Sequence, residues 1–599
     1  MSDSEAFPGG VDPETFRRWQ RIAERSARAA AAFWAARPEA ARDFQILDSS
    51  AACRAFGDFA SSLFAHPDRL AAAAAEYWRQ ASDLWNQELR RMQGQTPALA
   101  DPPRDRRFRG EEWEAQAAFD YLRRSYLLTS EWLRGLVDEA ELDPDAQRRV
   151  AFHTRQYLSA VSPANFAATN PEVLKRIAET DGASLLDGLE HLLADLERGR
   201  GRLKISMTDE SAFEVGGNIA STPGKVVFQN DMMQLIQYRP MTETVARRPV
   251  LFVPPWINKY YVMDLRPDNS LIRWTVEQGH SLFVISWVNP DASLADKSFA
   301  DYMQGGPLAA LDAVEKATGE PDVNLLGFCI GGILTAATLA WLAARGSSRV
   351  ASATFLASMF DFSDVGETSV FLDEAQVRRI EEHVREHGFL DGRHLADMFS
   401  LMRENDLVWS FVVNNYLMGR EPIPFDLLYW NADSTHLPAR MLVAYLRQFY
   451  LENGLCKPGH IVLDGTPIDL GQVRTPCYLF ATKEDHIAPW PACFAGRRLL
   501  GGPTEFVLGG SGHIAGVINP PAAGKYCHWT LDADGPEASD EWLEAATRQD
   551  GSWWTHWGKW LARFGNGEVP ARSPGDGPLA VIEDAPGSFV KHRAVVQDA

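Results

Sequence analysis

"NLLGFCIGGILTAATLA", Asn324 to Ala340, decides the fold. An apolar run, a turn of closely spaced glycines and an apolar helix-forming run follow one another, with Cys329 at the apex. Two readings are open here. Cys329 is a nucleophile on a turn built to expose it, or a small apolar residue in a buried turn. G-x-C-x-G, from Gly327 to Gly331 with Gly332 following, fits the first. In a strand–nucleophile–helix elbow, side chains two before and two after the nucleophile would collide with the neighbouring strand and helix. The helix then starts beneath the nucleophile, and its positive end favours a thiolate. The pentapeptide alone is a weak signal; "DVNLL" before it and "GILTAATLAWLAA" after it supply the strand and the helix.

Five more short apolar runs read as strands: "RPVLFVPPWI", "HSLFVISWVNP", "RVASATFLAS", "TPCYLFATKEDH" and "PTEFVLGGSGH". Apolar strands alternating with helices indicate a parallel sheet covered on both faces. Functional groups of such sheets collect at the carboxyl ends of the strands. Residues from about 360 to 455 interrupt the alternation with helix and large aromatics. They read as a cap over the strand ends, with enlargement of the core as the plainer alternative. Residues 11–205 carry apolar positions at helical spacing, broken by the prolines of "QTPALADPPRDRRF". This predicts a helical domain over 1–205, with its apolar faces either packed or available to a partner or hydrophobic product. "GNGEVPARSPGDGP" (565–578) has the composition of a flexible linker. In "GSWWTHWGKWL", Ser552 is a candidate N-cap and the tryptophans are read as packing.

An elbow predicts its partners in the order nucleophile, acid, histidine. Asp485 follows the strand "CYLFAT", with Glu484 as its rival; as a plain loop carboxylate it would cap the helix after Pro489. His513 follows the last strand in a glycine-rich loop. The interval from Cys329 to Asp485 leaves room for the cap, and that from Asp485 to His513 fits one helix and one strand. His486 is the competing base, but its place beside Asp485 assigns it to the pocket wall. An oxyanion hole requires two backbone N–H groups. One comes from Ile330, directly after the nucleophile. The other comes from the loop after "PVLFV". Pro254 and Pro255 have no N–H, which leaves Trp256 or Ile257. Trp256, Asn258, Phe328 and His486 complete the expected pocket.

The whole chain has 599 residues and a formal net charge of -21, which predicts two or more domains and disfavours nucleic acid. Its six cysteines form no C-x-x-C pair and no zinc pattern, so a metal is not expected. The opening residues lack the basic and apolar regions of a signal peptide, and no apolar run reaches the ~18–20 residues that cross a bilayer. The expected setting is the reducing cytoplasm.

"VPPWINKYYVMDLRPDNSLIRWTVEQGHSLFVISWVNPD", "NLLGFCIGG", "NDLVWSFVVNNYL", "FDLLYWNADSTHLP", "YLFATKEDHIAPW" and "GGSGHIAGVINPP" resemble the polyhydroxyalkanoate synthases, above all their class I type. The likeness covers nearly all of residues 205–560 and reaches more weakly into "RRFRGEEWEAQAAFDYLRRSYLL". It implies an α/β-hydrolase core over 206–599, mostly parallel, with a helical cap insertion and a helical domain before it. Cys329 stands where that family has cysteine in a modified lipase box, and Asp485 and His513 match its acid and histidine. The resemblance implies polymerisation of (R)-3-hydroxyacyl-CoA into polyester with release of coenzyme A. It further implies a homodimer, attachment to polymer granules and their coat proteins, and no cofactor. Phe328 and Ile330 are similar to class I, which favours short acyl units such as 3-hydroxybutyryl; a medium-chain class II enzyme is the alternative within the family. Whether Asp485 works through His513 or on the 3-hydroxyl directly stays open. The cap aromatics Trp409, Tyr416, Phe425 and Trp430 are expected to keep water from the site. Outside the family, a thioesterase, a polyester depolymerase and a non-catalytic granule protein are the alternatives.

Overall fold

The computed structural model describes residues 13–40, 44, 49–93, 95, 104–531 and 535–594. The chain's first twelve residues, and most of the proline-rich break at 96–103, lie outside the described residues. Contacts group the chain into two compact units: Met1–Asp209 with Met398–Ile423, and Glu210–Asp397 with Pro424–Ala599. The stretch expected as one cap, 360–455, is thus divided between them.

The first unit is helical, with long helices at Pro67–Met92, Ala117–Asp138, Pro144–Ala160 and Ala183–Arg198. Trp113 and Val150 are fully buried in it. Asp120 gathers Arg91, Arg123 and Arg124 around one buried carboxylate. Trp409 and Tyr416 belong here rather than with the sheet. Tyr416 donates its hydroxyl to Asp195 at 2.6 Å, and Ser159 donates to Glu404 at 2.8 Å. These polar pairs bind residues 398–423 to the N-terminal helices, which is why that part of the insertion leaves the sheet unit.

The second unit is built on a twelve-stranded sheet. In chain order its strands are β1 (Gly224–Gln229), β2 (Met233–Tyr238), β3 (Thr244–Val253), β4 (His280–Trp287), β5 (Val323–Phe328), β6 (Val350–Leu356), β7 (Cys477–Thr482), β8 (Thr504–Gly509), β9 (Cys527–Thr530), β10 (Thr547–Asp550), β11 (Glu568–Pro570) and β12 (Glu583–Asp584). The six runs read as strands are β3 to β8. They pair in parallel in the order β4-β3-β5-β6-β7-β8, with Phe252 opposite Val284, Leu251 opposite Leu325 and Phe480 opposite Leu356. Antiparallel strands extend both sides: β2, β1 and β12 beyond β4, and β9 and β10 beyond β8. This is the mostly parallel sheet of an α/β-hydrolase core. β4, β5 and β7 are buried at every position, as strands covered on both faces must be.

Residues 565–578 are not a flexible linker. Glu568–Pro570 forms β11 on the first residues of β3, and the N–H groups of Arg247 and Arg248 donate to Gly567 and Gly565. Arg572 is ion-paired with Glu320. Composition suggested mobility because glycine and proline turns also lead into edge strands. The tryptophans of the preceding helix, Trp554–Ala562, do pack. Trp557 donates its indole N–H to Thr354 at 3.0 Å, and Trp553 stacks on Phe480 at 4.1 Å. That helix has Trp553 at its N-cap, while the Ser552 hydroxyl accepts the Trp554 N–H.

Candidate active site

Cys329 stands between β5 and the helix Ile330–Ala344, with φ 53° and ψ −125°. A non-glycine residue in that strained region persists only where its surroundings hold it. Here they do. The Cys329 N–H donates to Leu356 at 2.9 Å, and its carbonyl accepts Gly332 N–H at 2.9 Å. The glycines have steric causes. A Cβ on Gly327 would lie 2.5 Å from the Gly332 Cα. On Gly331 it would overlap the Val253 carbonyl oxygen, and on Gly332 the Ser358 hydroxyl. Strand, helix and the loop after β3 are pressed together at this one point.

Asp485 and His513 arrive from the ends of β7 and β8. The two loops are bonded to each other: Lys483 N–H donates to Gly509, and Glu484 N–H to Ser511. His513 Nδ1 lies 2.7 Å from Asp485 Oδ2. The other carboxylate oxygen accepts the N–H groups of Ile487 (2.9 Å) and Ala488 (2.8 Å). The side chains of Asp485 and His513 are 0% and 4% exposed, whereas Glu484 faces solvent. Burial pushes the Asp485 carboxyl up, but the His513 charge and these donors outweigh it and hold it below the usual carboxylate value. Burial pushes His513 down; the Asp485 carboxylate and a hydrogen-bonded Cys329 sulfur together raise it. The structure therefore brings Cys329, His513 and Asp485 into one chain of contacts.

The remaining predicted residues take different places. Phe328 is buried and stacks on the His513 ring at 5.4 Å, so it supports the histidine rather than facing an open pocket. Ile330 opens the helix, where first-turn N–H groups have no intrahelical acceptor. Ile257 and Asn258 are half-buried in the loop that leaves β3 against Gly331. Trp256 is turned into an aromatic cluster with Trp287, Phe299 and Tyr302, the last at 4.7 Å. His486 is half-buried beside Asp485. Of the cap aromatics in this unit, Phe425 is 45% exposed and Trp430 is buried, donating its indole N–H to the Lys259 carbonyl.

Two residues near the sulfur were not singled out from the sequence. Tyr445 and Tyr450 lie in a π-helical segment, Tyr445–Leu451, with their rings 5.4 Å apart and their hydroxyls hydrogen-bonded. Burial, then each other and the charge of Cys329, hold the Tyr445 hydroxyl protonated; burial and Cys329 do the same for Tyr450. The five-residue turn that aligns them does not follow α-helical spacing. Cys493 also senses the site, but burial and the charges of Asp485 and Cys329 raise its thiol well above the usual value.

Comparison with known proteins agrees with this architecture. The family described as poly-beta-hydroxybutyrate polymerase (PhaC) N-terminus matches residues 104–275, and the α/β hydrolase fold matches residues 276–520. The chain is 47% identical over 533 residues to a poly(3-hydroxyalkanoate) polymerase of Methylorubrum extorquens, covering 88% of each. It is 45% identical over 591 residues to the poly(3-hydroxyalkanoate) polymerase subunit PhaC of Rhizobium meliloti (strain 1021), covering 97% of this chain and 96% of that one. With the corresponding subunit of Cupriavidus necator it shares 44% over 534 residues, covering 88% and 89%. With a cysteine elbow on an α/β-hydrolase sheet and full-length likeness of this degree, the chain belongs to the poly(3-hydroxyalkanoate) polymerases, a family of acyltransferases.

Proposed function

We propose that the protein polymerises (R)-3-hydroxyacyl-CoA, with 3-hydroxybutyryl-CoA as its main substrate, through an acyl thioester on Cys329. The observation that carries this is His513, held by Asp485 on one nitrogen and hydrogen-bonded to the Cys329 sulfur. His513 takes the thiol proton and the thiolate attacks the acyl-CoA carbonyl. The N–H groups of Ile330 and Ile257 receive the developing oxyanion. The carbon–sulfur bond to coenzyme A breaks, and the departing thiolate takes the proton from His513. In the second half, His513 accepts the proton of a 3-hydroxyl, whose oxygen attacks the enzyme thioester. The ester bond forms and the Cys329 sulfur leaves, reprotonated by His513. Exchange of one thioester for another is nearly balanced, so the acyl group stays activated on the enzyme.

Both Asp485 oxygens are occupied, by His513 and by two backbone N–H groups. That favours Asp485 acting through His513 over direct contact with the 3-hydroxyl. Tyr445, Phe449, Tyr450 and Phe362 form a packed aromatic group beside the site, suited to excluding water. No group beyond these side chains and the coenzyme A thioester enters the reaction. In this reading the enzyme works in the cytoplasm as a dimer bound to the granule it makes, its N-terminal helices meeting polymer or coat proteins. Among the described residues no helix is long and apolar enough to cross a membrane.

The test is purified protein with 3-hydroxybutyryl-CoA and a thiol reagent. Insoluble polyester with stoichiometric coenzyme A supports the proposal. Free 3-hydroxybutyrate with coenzyme A makes it a thioesterase, and no coenzyme A release makes it non-catalytic. Faster turnover of medium-chain substrates moves it to the class II type.

A further inference from the structure

Lys259 lies two residues past Ile257, on the same loop, and takes no part in the chemistry above. Its side chain is 4% exposed. Nζ donates to the carbonyls of Val590 (2.7 Å) and His592 (2.9 Å) and pairs with Asp433 Oδ1 at 2.8 Å. Two N–H bonds thus meet carbonyl oxygens, and the ammonium charge meets the Asp433 carboxylate as an ion pair. Asp433 is as deeply buried and takes the Tyr261 hydroxyl on its other oxygen at 2.8 Å. Burial weakens the ammonium form of Lys259, and Asp433 opposes that.

The rest of the loop is tied to the same segment. The Lys259 carbonyl accepts the Trp430 indole N–H at 2.7 Å. Asn258 and Ser434 form an antiparallel bridge. The Thr435 hydroxyl lies 2.6 Å from the carbonyls of Trp256 and Ile257. Lys259 differs from these ties because it also reaches the chain's last described residues. That segment is seated by buried Val590 and by Arg593, which donates to Tyr429 at 2.7 Å and pairs with Glu210 at 3.0 Å. A buried ion pair is weak support for stability on its own, since apolar side chains of like volume often serve as well. Its use here is to join three separate pieces of chain at the oxyanion loop.

We propose that Lys259 is a positioning residue for the oxyanion hole, coupling the seating of the C-terminal segment to the placement of the Ile257 N–H. This rests on Cys329 as nucleophile and Ile257 as oxyanion donor.

The test uses the full chain with Lys259→Met and Asp433→Asn together, so that no lone charge is buried, with and without Val590→Ala. Three quantities are read with 3-hydroxybutyryl-CoA: kcat, KM and the rate of Cys329 alkylation by iodoacetamide. Alkylation reports the Cys329–His513 pair and needs no oxyanion hole. The expected result is a fall in kcat of roughly 10- to 100-fold, below the full loss of an oxyanion donor. KM stays within about 3-fold and alkylation is unchanged. Val590→Ala lowers kcat in the wild-type chain and adds nothing in the double variant. The proposal is overturned by kcat within about 2-fold of wild type. It is also overturned by an equal fall in alkylation, or by a Val590→Ala effect of the same size in both backgrounds. If the double variant does not fold, Tyr261→Phe keeps both charges but frees Asp433, and the same readings apply with a fall of about 3- to 10-fold expected. If alkylated wild-type protein still releases coenzyme A, the nucleophile assignment fails, and the Lys259 proposal with it.

Discussion

Asp485 grips His513 through a 2.7 Å contact between Oδ2 and Nδ1, with both side chains sealed from solvent. Its other oxygen is fixed by two backbone N–H groups. Asp485→Asn therefore has one low-strain placement. The amide oxygen keeps the Ile487 and Ala488 N–H groups, and the NH2 faces Nδ1. His513 is then forced into the tautomer that carries its proton toward Cys329 and cannot accept the thiol proton. The expected fall in kcat is about 10²- to 10⁴-fold. Coenzyme A release by the variant, with a cooperative melting curve to show that it is folded, checks this, and a loss under tenfold contradicts it.

The same pair sets a pH signature in stability. His513 is raised in the folded state above its ordinary value of 6.5. Its contribution is fully present below that value and is lost as pH rises through the raised one. Asp485 is depressed below 3.8, so its contribution is present above that and is lost as pH falls. Together they support the fold most between roughly pH 4 and 6.5. Melting temperatures of wild type and His513→Gln are expected to differ most in that window and to converge as pH climbs beyond it. A gap that widens toward alkaline pH contradicts the charge assignment.

Gly331→Ala tests the elbow's packing. The new methyl group meets the backbone of Val253 and Pro254, which cannot rotate away. A cost of about 1–3 kcal/mol is expected, as for an overpacked core. Because those residues lead into the Ile257 loop, kcat should fall further than the stability loss explains. Urea unfolding alongside steady-state kinetics separates the two; unchanged stability and rate contradict the close approach.

Trp557→Ala tests whether the tryptophan-rich helix is structural. Trp557 is fully buried and bonded to Thr354 on β6. Its loss should cost about 3–5 kcal/mol and leave KM of the folded fraction unchanged. A raised KM with little change in melting temperature would mark it as a ligand contact.

The parallel strands were legible because their central residues are buried and read as short apolar runs, as in the "LFVI" of β4. β2, "MQLIQY", was not. Its Gln234 and Gln237 are buried polar residues whose side chains donate to the Glu583 carboxylate and the Arg572 carbonyl, invisible without the returning C-terminal segment. The order Cys329, Asp485, His513 was legible because an elbow dictates it. Tyr445 and Tyr450 were hidden by π-helical spacing. That Trp409 and Tyr416 fall in the helical unit was not legible, because an aromatic insertion shows that it packs, not which unit it packs into. Lys259 and Asp433 meet only through tertiary structure, and nothing local in "NKYY" or "NADS" marks the pair.

In the proposed mechanism acyl groups pass through the Cys329 sulfur. The most direct measurement of this is mass spectrometry of the protein quenched in acid during turnover of 3-hydroxybutyryl-CoA, beside Cys329→Ala. A hydroxyacyl adduct is expected on the peptide containing Cys329, with neither adduct nor coenzyme A release from the variant. Coenzyme A release near the wild-type rate from Cys329→Ala would contradict it.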